Sequence, residues 1–190
     1  MLTYPAINPI ALDLGFFQIH WYGLMYLCGF AAGYYVAIFE ARAGRLALTN
    51  EQIGDLLFNI AMGLVVGGRL GYAFFYGMDH WREDFFWAFR IWEGGMSFHG
   101  GFLGVVAGVI LFSRKTGARL SRISDLAALA VPPGLGFGRI GNFIGQELWG
   151  RPTDSYFGMV FPADPLGLAR HPSQLSQAAL EGLELFVIIY

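Results

Sequence analysis

Five stretches of this chain approach the length and apolarity of a membrane-spanning helix, and no other feature limits its fold as severely. About 20 helical residues cross the hydrocarbon layer. The stretches cover residues 20–39, 53–76, 94–112, 124–144 and 174–190. Arg69 interrupts the second, and Pro132, Pro133 and Arg139 lie within the fourth. Of all residues 55% are hydrophobic and 14% charged, against about 25% charged in a soluble globular protein. So few charges do not clothe a water-facing surface. The expected fold is therefore all-α, a polytopic integral membrane bundle forming one domain over residues 1–190. The last run, Leu185-Phe186-Val187-Ile188-Ile189-Tyr190, has neither a flanking charge nor a cap, so that domain is expected to be incomplete at its C-terminus.

Several functions are excluded early. A net charge of -2 gives no footprint for nucleic acid. The single Cys28 rules out an intrachain disulfide and a cysteine-based metal cluster, and the four histidines show no metal-ligand spacing. No metal or cofactor is expected. Residues 1–19 lack the basic start of a cleavable signal peptide.

Orientation follows from Lys and Arg in the short loops, which accumulate on the cytoplasmic side. Residues 1–19 contain neither. The 40–52 loop carries Arg42 and Arg45, and the 113–123 loop carries Arg114, Lys115, Arg119 and Arg122 without an acid. Arg82 and Arg90 in the 77–93 loop are offset by Asp79, Glu83, Asp84 and Glu93, and the long 145–173 segment has only Arg151 and Arg170 as bases. The N-terminus is thus expected outside, with 40–52 and 113–123 in the cytoplasm. Spans three and four mix glycines with polar groups, which membranes tolerate where helix ends line a cavity. A glycine-rich cavity, outward-facing and open sideways to lipid, is expected there.

The polar residues of that outward half are the candidates for chemistry. Arg139, in Gly138-Arg139-Ile140-Gly141-Asn142, is costly at membrane depth. It reads either as a snorkelling anchor or as a guanidinium fork for a phosphate. Asn142 shares its helical face. Arg69, in Gly67-Gly68-Arg69-Leu70-Gly71, reads as a similar anion ligand or as a bundle lock paired with an acid such as Glu147. His99, set before Gly100-Gly101, reads as a hydrogen-bonded interior group or as a general base. Glu147 and Arg151 flank Trp149, an interface anchor or part of a site. Arg170-His171-Pro172-Ser173-Gln174 opens the last helix, whose first amides are expected to be free for an anion. Tyr22, in His20-Trp21-Tyr22, is an aromatic-belt residue or a hydroxyl at the cavity mouth. A phospholipid headgroup fits this inventory. So does an anionic solute passing through a transporter, although the chain shows no internal repeat.

Together the segments resemble the prolipoprotein diacylglyceryl transferases. Those that carry the resemblance are His20-Trp21-Tyr22-Gly23-Leu24-Met25-Tyr26, Gly67-Gly68-Arg69-Leu70-Gly71-Tyr72, Trp92-Glu93-Gly94-Gly95-Met96-Ser97-Phe98-His99-Gly100-Gly101, Gly138-Arg139-Ile140-Gly141-Asn142-Phe143, Glu147-Leu148-Trp149-Gly150-Arg151-Pro152-Thr153 and Arg170-His171-Pro172-Ser173-Gln174-Leu175. The resemblance implies a seven-helix enzyme of the bacterial inner membrane, with its N-terminus outside and its active site toward the outer leaflet. It implies phosphatidylglycerol as donor and, as acceptor, the lipobox cysteine of a prolipoprotein signal peptide. By motif position Arg139 corresponds to the essential arginine at the donor headgroup and His99 to a histidine proposed as base. Tyr22, Asn142 and Glu147 fall on other positions linked to activity, while Arg69, Arg151 and His171 are further candidates for substrate contact. Two departures stand out. Gly145-Gln146 replaces the usual Asn-Gly before Glu147, and Ser176 replaces a common Tyr. The family continues beyond this stretch with a second important arginine and a seventh helix, so these 190 residues alone are expected to be inactive.

Overall fold

The structure, a computed structural model, describes residues 1–190 and is predominantly helical. Each expected span is helical. These are α1 (Trp21–Arg42), α2 (Asn50–Tyr76), α4 (Phe98–Thr116), α5 (Leu120–Ile144), and a last helix formed by α6 (Ser173–Gln177), a π-helical turn (Ala178–Glu184) and α7 (Leu185–Ile189). Only α1 and α2 are by themselves long and apolar enough to cross a membrane. The glycines and polar groups of α4 and α5 lower their hydropathy, and the π turn divides the last helix. Only 11% of the most apolar window of α1 and 22% of that of α2 is buried. A soluble core helix would bury nearly all of it.

The chain forms two compact units, Ala37–Leu126 and Met1–Val36 with Ala127–Tyr190. In the first, α2 and α4 pack along a seam of glycines. Gly63, Gly67 and Gly71 recur every fourth residue on α2, and Gly100, Gly104 and Gly108 do so on α4. A methyl built on Gly71 would lie 2.8 Å from the Gly100 Cα, and one built on Gly67 would lie 2.8 Å from the Gly104 Cα. Backbone therefore meets backbone, the contact that small residues permit where water supplies no hydrophobic drive between helices. Thr49 starts α2 with a capping box: its hydroxyl accepts from the Gln52 amide, and the Gln52 side chain accepts from the Thr49 amide. The 77–93 segment, too polar to register as a span, folds into α3 (Met78–Glu83) and two 3-10 turns, Phe85–Phe89 and Ile91–Glu93.

In the second unit no helix precedes α1, because residues 2–20 form three short strands and the loops between them. A hairpin pairs β2 (Ile10–Asp13) with β3 (Gln18–His20) and turns at Gly15 with φ 80°. β1 (Leu2–Thr3), β4 (Met159–Val160) and β5 (Ala169–Arg170) make a small sheet in the order β1-β4-β5. Its core is aromatic: Tyr4, Phe143, Met159 and Phe161, with Ile7 and Trp149 against them. The Tyr4 hydroxyl donates to the Ile144 carbonyl at 3.0 Å, fastening this sheet to the end of α5. On α5, Gly134 meets Gly29 of α1, and Gly136 meets Gly182 of the π turn.

The seam is testable. Gly71→Ala should lower thermal stability in detergent by about 1–3 kcal/mol through overpacking. Gly54→Ala, also on α2 but with nothing within 4 Å of the added carbon, should be neutral or stabilising by about 0.5–1 kcal/mol. Equal effects from the two would show that the close approach is not what holds α2 to α4.

Candidate functional site

Arg69 and His99 stand at one end of the α2–α4 pair. Arg69 is 2% exposed, and its donors go to backbone carbonyls: Nε to Ala88 at 3.0 Å, Nη2 to Trp87 at 2.8 Å, and Nη1 to Gly94 and, at 3.4 Å, to Gly95. The guanidinium also lies over the Trp87 ring, 4.6 Å from its centroid. This corrects the expectation that an acid such as Glu147 locks Arg69. The 3-10 turns and the positive φ of Gly94 and Gly95 bring a group of carbonyls to the guanidinium, so no carboxylate is needed to satisfy it. Ser97 continues the connection. Its amide donates to the Gly68 carbonyl at 2.9 Å, and its hydroxyl caps α4 by accepting from the Gly100 amide. His99 follows in the first turn of α4. It is exposed while Gly100 and Gly101 are buried, and its ring touches that of Phe98. It is therefore not an interior histidine held by hydrogen bonds, because the buried side of this turn belongs to the glycines.

In the other unit Tyr22, Asn142 and Glu147 come together. The Tyr22 ring lies over Gly141, where an added methyl would be 3.0 Å from Cδ2. Its hydroxyl is 3.3 Å from that of Tyr26 and has Asn142 as a further hydrogen-bond partner. The Asn142 amide, nearly buried, donates to the Glu147 carboxylate at 3.4 Å. A phenol, an amide and a carboxylate thus form one polar group around the end of α5. Arg139, one turn earlier, is partly buried and reaches Glu181 of the π turn at 3.4 Å. Glu181 is not among the residues the sequence singles out, since an acid in an apolar run, with Glu184 three residues on, does not identify its partner. The sign was the arginine itself, which needs a countercharge at that depth.

The loop that presents Glu147 is strained and closely held. Gln146 and Leu148 have φ 55° and 54°, a region that non-glycine residues seldom occupy. Gln146 stands where glycine is usual in the resembling family, and its side chain accepts from the Ala163 amide at 2.9 Å. The Glu147 amide donates to the Asn142 carbonyl, the Gln174 side chain to the Glu147 carbonyl at 2.6 Å, and the Ser173 hydroxyl to the Leu148 carbonyl. Arg151 and His171 face each other through backbone, the His171 amide donating to the Arg151 carbonyl at 3.1 Å, and both residues are exposed. The amides expected to be free at the last helix are partly occupied. That of Ser173 donates to the His171 carbonyl, and those of Leu175 and Ser176 donate to the Pro172 carbonyl. Arg170 bends back to Asp164 through Nε at 2.6 Å and Nη2 at 3.2 Å.

Comparison with known proteins gives a consistent answer. The sequence profile described as prolipoprotein diacylglyceryl transferase matches residues 9–190. A phosphatidylglycerol–prolipoprotein diacylglyceryl transferase of Teredinibacter turnerae is 52% identical over 200 residues, covering 100% of this chain and 70% of its own length. Proteins of the same description from a Marinomonas species and from Acinetobacter baumannii are 50% and 51% identical, each over 100% of this chain and 71% of the relative.

The Asp164–Arg170 pair gives the 159–170 segment a pH dependence. The Arg170 hydrogen bonds lower the Asp164 pKa against the opposing effect of burial, and the Leu166 and Leu168 amides help. A lowered carboxyl stabilises the fold in full above its ordinary value of about 4, and this contribution disappears as pH falls through the lowered one. Hydrogen-exchange protection factors in 159–170 should fall below about pH 4, and Asp164→Asn should remove that acid limb. An unchanged profile in Asp164→Asn would place the transition elsewhere.

Proposed function

This chain belongs to the prolipoprotein diacylglyceryl transferase family, and on that premise we propose which of its side chains carry the reaction and from which side of the membrane. The chain is a transferase that moves the diacylglyceryl group of phosphatidylglycerol to the lipobox cysteine thiol of a prolipoprotein. The cysteine sulfur forms a bond to the glycerol carbon that carries the phosphate. The carbon–oxygen bond breaks with its electron pair on oxygen, and glycerol 1-phosphate leaves. The full-length match to the family carries this reading.

Two demands of the step select residues. Charge on the departing phosphate must be held, and we assign that to Arg139. Its support is a partly buried guanidinium, flanked by Gly138, and a single 3.4 Å contact to Glu181 that a phosphate can displace. The thiol must lose its proton to become nucleophilic, and we assign that proton to His99, whose ring is exposed and free of hydrogen bonds within the protein. Tyr22, Asn142 and Glu147 form the polar wall for the headgroup, with Glu147 holding Asn142. Arg151 and His171, both exposed, serve the donor or the signal peptide, and Arg69 maintains the loop beside His99. The loop charges support an outside N-terminus and an active site toward the outer leaflet.

The assay uses membranes expressing the encoding gene, with phosphatidylglycerol and a lipobox peptide, following peptide mass and glycerol phosphate release. The expected product is a diacylglyceryl-bearing peptide. Arg139→Ala should slow its formation by about 100-fold or more, whereas Tyr22→Phe should act more mildly. If folded protein left both peptide and lipid intact, the enzyme reading would fail and transport of an anionic solute would take its place.

A further inference from the structure

The ends of α2 and α4 remote from Arg69 and His99 enclose a groove that the transfer reaction does not use. It has a volume of about 340 Å³ and is lined by Leu46, Gln52, Thr116, Arg119, Arg122 and Ile123 among others. Leu46 and Ile123 form a buried apolar floor, at 6% and 3% exposure. The two arginines form its charged rim. Arg119 immediately precedes α5 and Arg122 lies in its first turn, and the Arg122 amide donates to the Arg119 carbonyl at 3.0 Å. Neither guanidinium meets a carboxylate, although nearby bases do. Arg45 is bound bidentately by Glu40, and Lys115 lies 4.0 Å from Asp55. The first turn of α5 contains no acid either.

The turn that carries the rim is tied by its own hydrogen bonds. Gly117 takes φ 74°, its amide donates to the Ser113 carbonyl at 2.9 Å, the Ser113 hydroxyl donates to the Ala118 carbonyl at 2.7 Å, and the Thr116 hydroxyl accepts from the Ala118 amide. Little is left to order when a ligand arrives. Two unpaired guanidinium forks over an apolar floor match a phosphate-bearing anion, for which arginine has the better geometry than lysine. The groove is built from the 40–52 and 113–123 segments, the two that loop charge assigns to the cytoplasm, where anionic lipid headgroups and soluble phosphates are both at hand.

We infer that the groove between the start of α2 and the α4–α5 turn is a second anion site, binding a phosphate group through Arg119 and Arg122. It shares no residue with those assigned to transfer. The test reconstitutes the protein in phosphatidylcholine nanodiscs with or without dioleoyl phosphatidic acid, with inorganic phosphate in a parallel arm. Retained lipid is counted by native mass spectrometry, and thermal stability is recorded in each arm. The joint Arg119→Gln/Arg122→Gln variant is compared with a joint Arg114→Gln/Lys115→Gln variant, which removes as much charge from bases that do not line the groove. The groove pair should weaken phosphatidic acid retention at least tenfold and the control pair less than twofold, with Arg119→Lys/Arg122→Lys in between. Stabilisation by inorganic phosphate, lost in the groove pair alone, would identify the ligand as a free anion bound at the same site. Equal losses from both pairs, or none from either, would reduce the groove to a generally positive surface and overturn the inference.

Discussion

Backbone lying on backbone between α2 and α4 is the contact on which the Ala37–Leu126 unit depends. In lipid, two apolar helices gain nothing from expelling water, so cohesion comes from close approach and dispersion. Glycine at every fourth position on both helices removes the side chains that would keep them apart. The outer faces can then stay apolar and exposed, as those of α1 and α2 are. A second consequence is local. With Gly100 and Gly101 filling the buried side of the first turn of α4, His99, which precedes them, is left exposed.

Charge is handled differently in the two units. Arg69 is buried and satisfied by carbonyls of the 84–95 loop, which makes the guanidinium a fastening for that loop. Each donor replaces a lost water contact, the condition under which a buried cation is tolerated. Arg139 has only Glu181 at 3.4 Å and remains partly exposed. An ion held so lightly keeps most of its donors for a ligand. Two arginines in similar glycine-rich settings therefore differ in surroundings, because one meets the carbonyls of Trp87, Ala88, Gly94 and Gly95 and the other a single carboxylate, and neither setting is visible from the local motif.

Much of the architecture was legible beforehand. The five apolar stretches became helices at nearly the expected limits, because length and apolarity act locally and over many residues. The four-residue glycine repeats of α2 and α4 are also in the sequence, but their spacing does not say which helix each stripe faces. The small sheets were not foreseen: β1 and β4 pair across more than 150 residues, and strands of two residues leave no periodic signature. Tyr22, Asn142 and Glu147 were each identified singly, and their convergence came with the fold. The supposed Arg69–Glu147 lock failed because backbone carbonyls, which every residue carries, compete with acids without appearing in any motif.

By itself the sequence indicates a mostly helical protein of the diacylglyceryl transferase family, with a small set of polar residues set among long apolar stretches. Hydropathy and motif order are properties of contiguous residues, so they survive without coordinates. The tertiary structure alone decided the partners: carbonyls for Arg69, Glu181 for Arg139, Glu147 for Asn142, and no carboxylate for Arg119 and Arg122. Pairing depends on distances of about 3 Å between groups far apart in the chain, and only packing sets such distances.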